Sequence, residues 1–307
     1  MGKITKKALI FGIIVPCTCL AVGGVVLGTM LGKMVFVAEV DHSQIDIKGL
    51  EDDQTKLMKK YNGMKDSTID EYLSSFKAYE LANIGLNKVS EHENVRSVGI
   101  GMVLANVSGL KVEQGIRSNY VKVGDEMLQE SISASSMVKV AKRFYQNKTE
   151  VKYYNGKYKE LEKSEFTESS LKETYTLEDY EDVWGRDYTR PTIYIISSKT
   201  VLEYTASKDD DNHINVSLEL DPFTSVARYV KQMRMMSDLT KDPNFSKVHI
   251  NFVLDKDLSL LSSHIEETYK TYYMGVWADT TGTLDETRHY DETIAIPGLS
   301  EGCDYKN

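Results

Sequence analysis

The chain has 307 residues, three cysteines and a net charge of −9, with 27% charged and 41% hydrophobic residues. The acidic balance argues against a nucleic-acid partner or an anionic surface engaged by bulk charge. Three cysteines, two of them in one apolar run, exclude a small disulfide-stapled scaffold, so an ordinary hydrophobic core of one or two domains is expected.

Lys3, Lys6 and Lys7 precede 25 uncharged residues, Ala8 to Gly32, and Lys33 follows. A helix of that length rises ~37 Å, enough to span a ~30 Å hydrocarbon core with some tilt. A secretory signal has a shorter apolar core and small residues at its cleavage site, whereas the best match here, "VFVA", offers Phe36. Residues 8–32 are therefore expected to be an uncleaved transmembrane helix and the membrane contact of the protein. The basic tail, residues 1–7, is placed in the cytoplasm and the remainder outside the cell membrane. The four Lys of residues 1–33 leave −13 for the exported part. Cys17 follows Pro16 and Cys19 follows Thr18, which suits neither lipidation nor, without further ligands, a metal, so both read as small apolar membrane residues.

Residues 33–66 are mixed and charged and are expected to form a stalk. Asp66, Ser67 and Thr68 are candidate caps for a helix over 68–90, with Ile69, Leu73, Phe76, Leu81 and Ile84 at helical spacing. The period then becomes two. Val98, Ile100, Met102 and Leu104 share one face, and Val121, Val123, Leu128 and Ile132 continue around the Gly124-Asp125 turn. Asn155-Gly156 between aromatic arms reads as a hairpin turn. Residues 160–190 are acidic and poorly periodic, the pattern of a long loop or lid, in which Trp184 is a candidate contact residue. "TIYIIS" and "TVLEYTAS" read as strands, as does "NHINVSLELDP", with Ile214, Val216, Leu218 and Leu220 on one face. Asp221-Pro222 opens a helix near 222–239 with Val226, Val230 and Met233 on one stripe. Three strands end the pattern, the first with Val248, Ile250, Phe252 and Leu254 on one face and an Asp255-Lys256-Asp257 turn after it. The expected class is α+β: a curved antiparallel sheet, an unclosed β-barrel, packed with one or two helices over residues 67–291, and a tail over 292–307.

Motifs for chemistry are sparse. Gly99-x-Gly101 lies within a period-two segment and lacks the third glycine of a dinucleotide loop. Asp209, Asp210, Asp211 and His213 lack calcium-loop spacing and suit an exposed turn. His264 and Glu266 share a strand face, but no third zinc ligand accompanies them. No nucleophile elbow occurs, and Cys303 lies in the terminal tail. No catalytic residue, metal or cofactor is assigned, and the chain is read as a non-enzyme. The Met233, Met235, Met236 group fits either core or an adaptable apolar surface.

The order of elements, carried mostly by "NVSLELDPFTSVARYVKQM…FSKVHINFVLDKDLSLLSSHIEETY", resembles the periplasmic lipoprotein-carrier superfamily, with its LolA-type carriers and LppX/LprG-type lipoproteins. The resemblance covers residues 68–291 and implies an open barrel whose apolar interior holds acyl chains. The uncleaved anchor departs from that family and implies a tethered domain that binds a lipid or other apolar ligand, with envelope proteins as further partners. Val98, Ile100, Met102, Val216, Leu218, Val226, Val230, Met233, Ile250, Phe252 and Trp184 are the expected groove residues. The alternative is a bitopic protein-interaction subunit of a secretion, conjugation or envelope complex, with a nuclear-transport-factor-like domain of smaller sheet and more helix.

Overall fold

The computed structural model describes residue 37 and residues 39–301, except 108, 135–138, 161–162, 185–190, 237–239 and 274–275. The expected cytoplasmic tail and membrane helix, with Cys17 and Cys19, and the terminal Cys303 lie outside the described residues. Among the described residues no helix is long and apolar enough to cross a membrane.

Four helices come first: α1 (Ile47–Leu50), α2 (Gln54–Asn62), α3 (Ile69–Ser75) and α4 (Ala78–Glu91). Asp46 and Asp53 cap α1 and α2 by accepting from Gly49 and Lys56 N–H. Leu57 and Tyr61 of α2 are buried in the main core, so this part of the segment expected as a stalk belongs to the folded domain. Its polar surface hides the two inward positions that matter. The single helix expected over 68–90 is two. Thr68 and Glu71 form a capping box at α3, and the backbone turns extended at Phe76 and Lys77. The Lys77 N–H then donates to the Glu80 carboxylate, which restarts the helix as α4. The break lets Phe76 point into the core.

Twelve strands follow: β1 (Asn94–Val107), β2 (Leu110–Val123), β3 (Glu126–Ala134), β4 (Lys139–Gln146), β5 (Glu150–Glu160), β6 (Lys163–Glu165), β7 (Leu171–Thr176), β8 (Val201–Lys208), β9 (Ile214–Leu220), β10 (Asn244–Leu254), β11 (Leu260–Tyr273) and β12 (Val276–Tyr290). They form one antiparallel sheet in the order β6-β5-β4-β3-β2-β1-β12-β11-β10-β9-β8, with β7 also on β5. The sheet is unclosed, and the class is α+β. Its two halves are local meanders joined in the middle, where β1 pairs with β12 from Val95↔Tyr290 to Asn106↔Asp279. Helix α5 (Leu177–Trp184) follows β7, and α6 (Ala227–Met236) lies between β9 and β10.

Helix α4 lies on the concave face of β8–β11 and is buried on nearly all sides. Gly85 permits this approach, because a Cβ there would stand 2.6 Å from Leu254 Cδ2. The run 192–197, expected as a strand, crosses between the halves as buried coil, with Ile193, Tyr194 and Ile196 in the core. Several of its backbone groups are satisfied without a ladder. Asn83 Nδ2 donates to Ile196 O (2.9 Å), Ile195 N–H donates to Ser225 O (2.9 Å), and Thr200 Oγ1 donates to Ile195 O (2.6 Å).

Asn155-Gly156 is no turn; it lies inside β5, opposite Lys142 and Ala141. The turn is made instead by Asn147, whose side chain accepts from Thr149 and Glu150 N–H. Gly156 serves a close approach, since a Cβ there would stand 2.5 Å from the Phe166 ring. Two other turns fall where the sequence puts them. Asp209 accepts from Asp211 and His213 N–H between β8 and β9, and Asp255 accepts from Asp257 and Ser259 N–H between β10 and β11.

The segment after β12, expected as a tail, covers the convex face. Ile294 and Ile296 pack on Val121, Leu128 and Ile132, and Leu299 packs beside Ala141, Tyr154 and Phe166. Arg143 donates to Gly298 O (3.0 Å) and Pro297 O and lies 3.4 Å from Glu130. Strands β2–β5 are therefore covered on both faces.

Candidate functional site

The concave face carries two different linings. Beneath α4 and α6 it is aliphatic. Val216, Leu218, Val226, Val230, Met233, Ile250 and Phe252 join one cluster and are at most 3% exposed. The structure thus brings the β9, β10 and α6 members of the expected groove together, as packed core. The side chains of Met235 and Met236 lie outside what is described.

The three expected residues of β1 are on the other face. Val95, Val103, Ala105 and Val107 look into the core, while Val98, Ile100 and Met102 point to the convex side, where Met102 is 46% exposed. The two glycines decide this. Gly99 faces Ser118 and Gly101 faces Leu284, so in the middle of the strand, between Val95 and Val103, the inward phase is carried by residues that do not register as hydrophobic.

Over β2–β5 the concave lining is aromatic and polar. Phe144 stacks on Tyr153 at 4.6 Å and meets Trp184 edge-on at 5.4 Å; Tyr180 lies parallel to Trp184 at 6.0 Å. Met127 and Val151 complete this second cluster, and α5 roofs it with Tyr180 and Trp184. Trp184, the expected contact residue of the lid segment, is thus a buried roof residue. Helix α5 starts where Thr176 Oγ1 accepts from Asp179 N–H (3.0 Å).

Lys142 stands inside this lining. Register places it opposite Ser131 and Asn155, one step from Phe144 on the same face. It is fully buried, its Nζ is 4.9 Å from the Tyr153 ring centre, and it donates to the Tyr153 hydroxyl. No carboxylate among the described residues pairs with it. Burial, with a smaller push from Lys172, brings its pKa down from 10.5 to about 7. Burial raises the Tyr153 phenol, and it pushes Tyr175 up to about 12. The side-chain carbonyls of Gln129 and Gln146, on the same face, have no partner among the described residues.

Between the two linings lies a cavity of about 30 Å³ bordered by Ser97, Tyr120, Gln129, Tyr194, Glu286 and Arg288. That is room for a water or two, not for an acyl chain. A ligand of any size must displace part of the lining, and α5 is the short element over the aromatic half. Sequence reasoning missed Lys142. Its one signal is that "KVAKRFYQ" puts a lysine in phase with Phe144.

The His264–Glu266 pair is a solvated surface network. His264 Nδ1 is 2.6 Å from Asp285, and Glu266 is 2.6 Å from Lys247. Desolvation lowers the His264 pKa, but its hydrogen bonds to Asp285 and Glu266 outweigh that and raise it. No group of three potential metal ligands occurs among the described residues.

No family model matches the chain, and no curated protein matches it in sequence. Among solved structures, it is similar to a DUF1329 family protein of Desulfovibrio piger (10% identity, 71% of this chain and 93% of that one, TM-score 0.26). It is also similar to a putative outer membrane lipoprotein-sorting protein domain of Vibrio parahaemolyticus (11% identity, 71% and 93%, TM-score 0.25). The ywiB protein of Bacillus subtilis is a third (8% identity, 63% and 92%, TM-score 0.21). Identities and TM-scores this low assign neither a family nor a function.

Proposed function

We propose that this protein is a membrane-anchored, extracytoplasmic binding domain for an anionic amphiphile such as a lipid, held on the concave face of β2–β5 beneath α5. The observation that carries this reading is Lys142. A buried ammonium costs several kcal/mol unless it is paired, and here it sits among aromatic rings with, among the described residues, only a hydroxyl partner. An anionic headgroup entering beneath α5 would supply the missing charge and hold Lys142 protonated. An acyl chain would take the place of Tyr180 and Trp184 against Phe144 and Tyr153. The sheet of twelve strands favours this reading over the smaller-sheet, protein-interaction alternative.

The test is mass spectrometry of the full chain purified from its membrane under conditions that keep complexes intact. Wild type should carry a stoichiometric acidic lipid, and Lys142→Met, folded by circular dichroism, should carry none. Wild type without bound lipid, or Lys142→Met with undiminished lipid, would refute the assignment.

A further inference from the structure

The N-terminal segment reaches the domain at one end of the sheet, and that end has its own chemistry. Glu39 pairs with Lys241, Asp41 with Arg234 at 3.2 Å, and His42 with the buried Asp242 at 3.0 Å. The register gathers several chain reversals at this same end. The β1–β2 hairpin closes at Val107↔Leu110, and the pairing of Asn106 with Asp279 puts the β11–β12 hairpin, closing beyond Tyr272↔Trp277, beside it. The start of β10 and the Asp221–Phe223 turn after β9 complete the end. Here Leu110 is 47% exposed and Phe223 is 40% exposed, with Phe223 resting on His42 at 4.6 Å. Tyr272 and Trp277 lie 5.2 Å apart, half-buried, and Lys241 Nζ sits 4.6 Å from the Tyr272 ring.

We propose that this end is a membrane-docking face, seated in the interfacial layer of the bilayer that carries the anchor. The inference rests on the anchor expected over residues 8–32. Only six residues, seven Cα–Cα steps, separate Gly32, the end of the uncharged run, from Glu39, the first residue tied to the domain by an ion pair. Fully extended they reach at most ~25 Å. The headgroup layer itself is ~5–7 Å deep on each side of the hydrocarbon. A domain held on so short a lead, through residues 39–42, presents this end to the membrane. The side chains there match an interface. Trp and Tyr favour the headgroup level, a lysine beside them reaches phosphates, and Leu and Phe dip further in. From β2 to β9 the sheet is five strand steps wide, ~24 Å, so Leu110 and Phe223 mark two well-separated footholds. The attraction must be apolar and aromatic, because a domain of strongly negative charge is repelled by an anionic leaflet.

The two tryptophans allow a direct test. In the full chain, Trp184→Phe leaves Trp277 as the sole indole. Reconstituted into lipid nanodiscs, this variant should lose a large part of its emission when the lipid carries bromine at the upper acyl carbons, because an indole seated at the interface lies within contact of them. Adding Leu110→Glu and Phe223→Glu, both at exposed sites, should restore the emission. Wild type minus Trp277→Phe yields the same quantity should Trp184→Phe fail to fold. Unquenched Trp277 in protein that remains in the discs overturns the docking face and leaves the anchor standing. Protein that fails to enter the discs overturns the anchor and the docking face with it.

Discussion

Replacing Lys142 by methionine isolates the cost of the buried ammonium. The folded-state pKa of about 7 against 10.5 corresponds to a penalty on the order of 5 kcal/mol for holding the charged form in the folded state. The sign follows from proton binding. Below about pH 7 Lys142 is charged folded and unfolded alike, and the full penalty is present. From about pH 7 to 10.5 the unfolded chain binds a proton that the folded chain lacks, so stability rises with pH, and above 10.5 the penalty is gone. Methionine fills a similar volume and carries no charge. Chemical unfolding of the wild type and Lys142→Met, followed by tryptophan emission at pH 6 to 10, should therefore show the variant more stable by several kcal/mol at pH 6. The two should converge as pH approaches 10, since other titrating groups cancel in the difference. A difference that does not change with pH, or a variant less stable at pH 6, would refute the reasoning and remove the observation on which the ligand site stands.

Val230→Asp buries a charge where the side chain is fully enclosed between α6 and the sheet, and should unfold the domain or cost several kcal/mol in a melting experiment. Gly156→Ala sets a Cβ 2.5 Å from the Phe166 ring and 2.6 Å from Glu165 O, and should cost about 1–3 kcal/mol. Phe166→Leu in the same chain should recover part of that loss, as thermal denaturation will show. Arg143→Leu removes the donor to the Pro297 and Gly298 carbonyls and should speed amide exchange across residues 291–300 while strands β9–β11 keep their protection, as read by hydrogen exchange.

What was legible in the sequence follows how each strand is covered. Strands β9 and β10 have one face on α4 and α6 and one in solvent, so Ile214 to Leu220 and Val248 to Leu254 alternate cleanly and can be read at sight. Strand β1 has apolar residues in both phases, and the inward one is marked by Ser97, Gly99 and Gly101, which a hydrophobicity count passes over. Strands β3 and β4 are covered on the concave side by the aromatic cluster and on the convex side by residues 294–299, which erases alternation and hides Lys142 among Ala141, Arg143 and Phe144. Asn155-Gly156 carries the local signature of a turn, yet the glycine is required by a ring that arrives from ten residues further on. Local chemistry cannot announce a neighbour supplied by tertiary structure.

The seam between β1 and β12 has a consequence for how the molecule is made. The strands that pair there are nearly two hundred residues apart, Val95 opposite Tyr290. Every other ladder joins strands close in sequence, so the β8–β12 block meets the β1–β7 block only at this seam. Each half can form its meander early, but until the chain has been made as far as residue 290 both halves carry a long, unpaired central edge. Such edges template pairing with other chains, and closure over so large a separation is slow. Folding of this domain is therefore gated by the last strand. Chains that stall or are cut before it should accumulate as two sticky half-sheets on one chain, and the rate of chain completion and local crowding will set their yield.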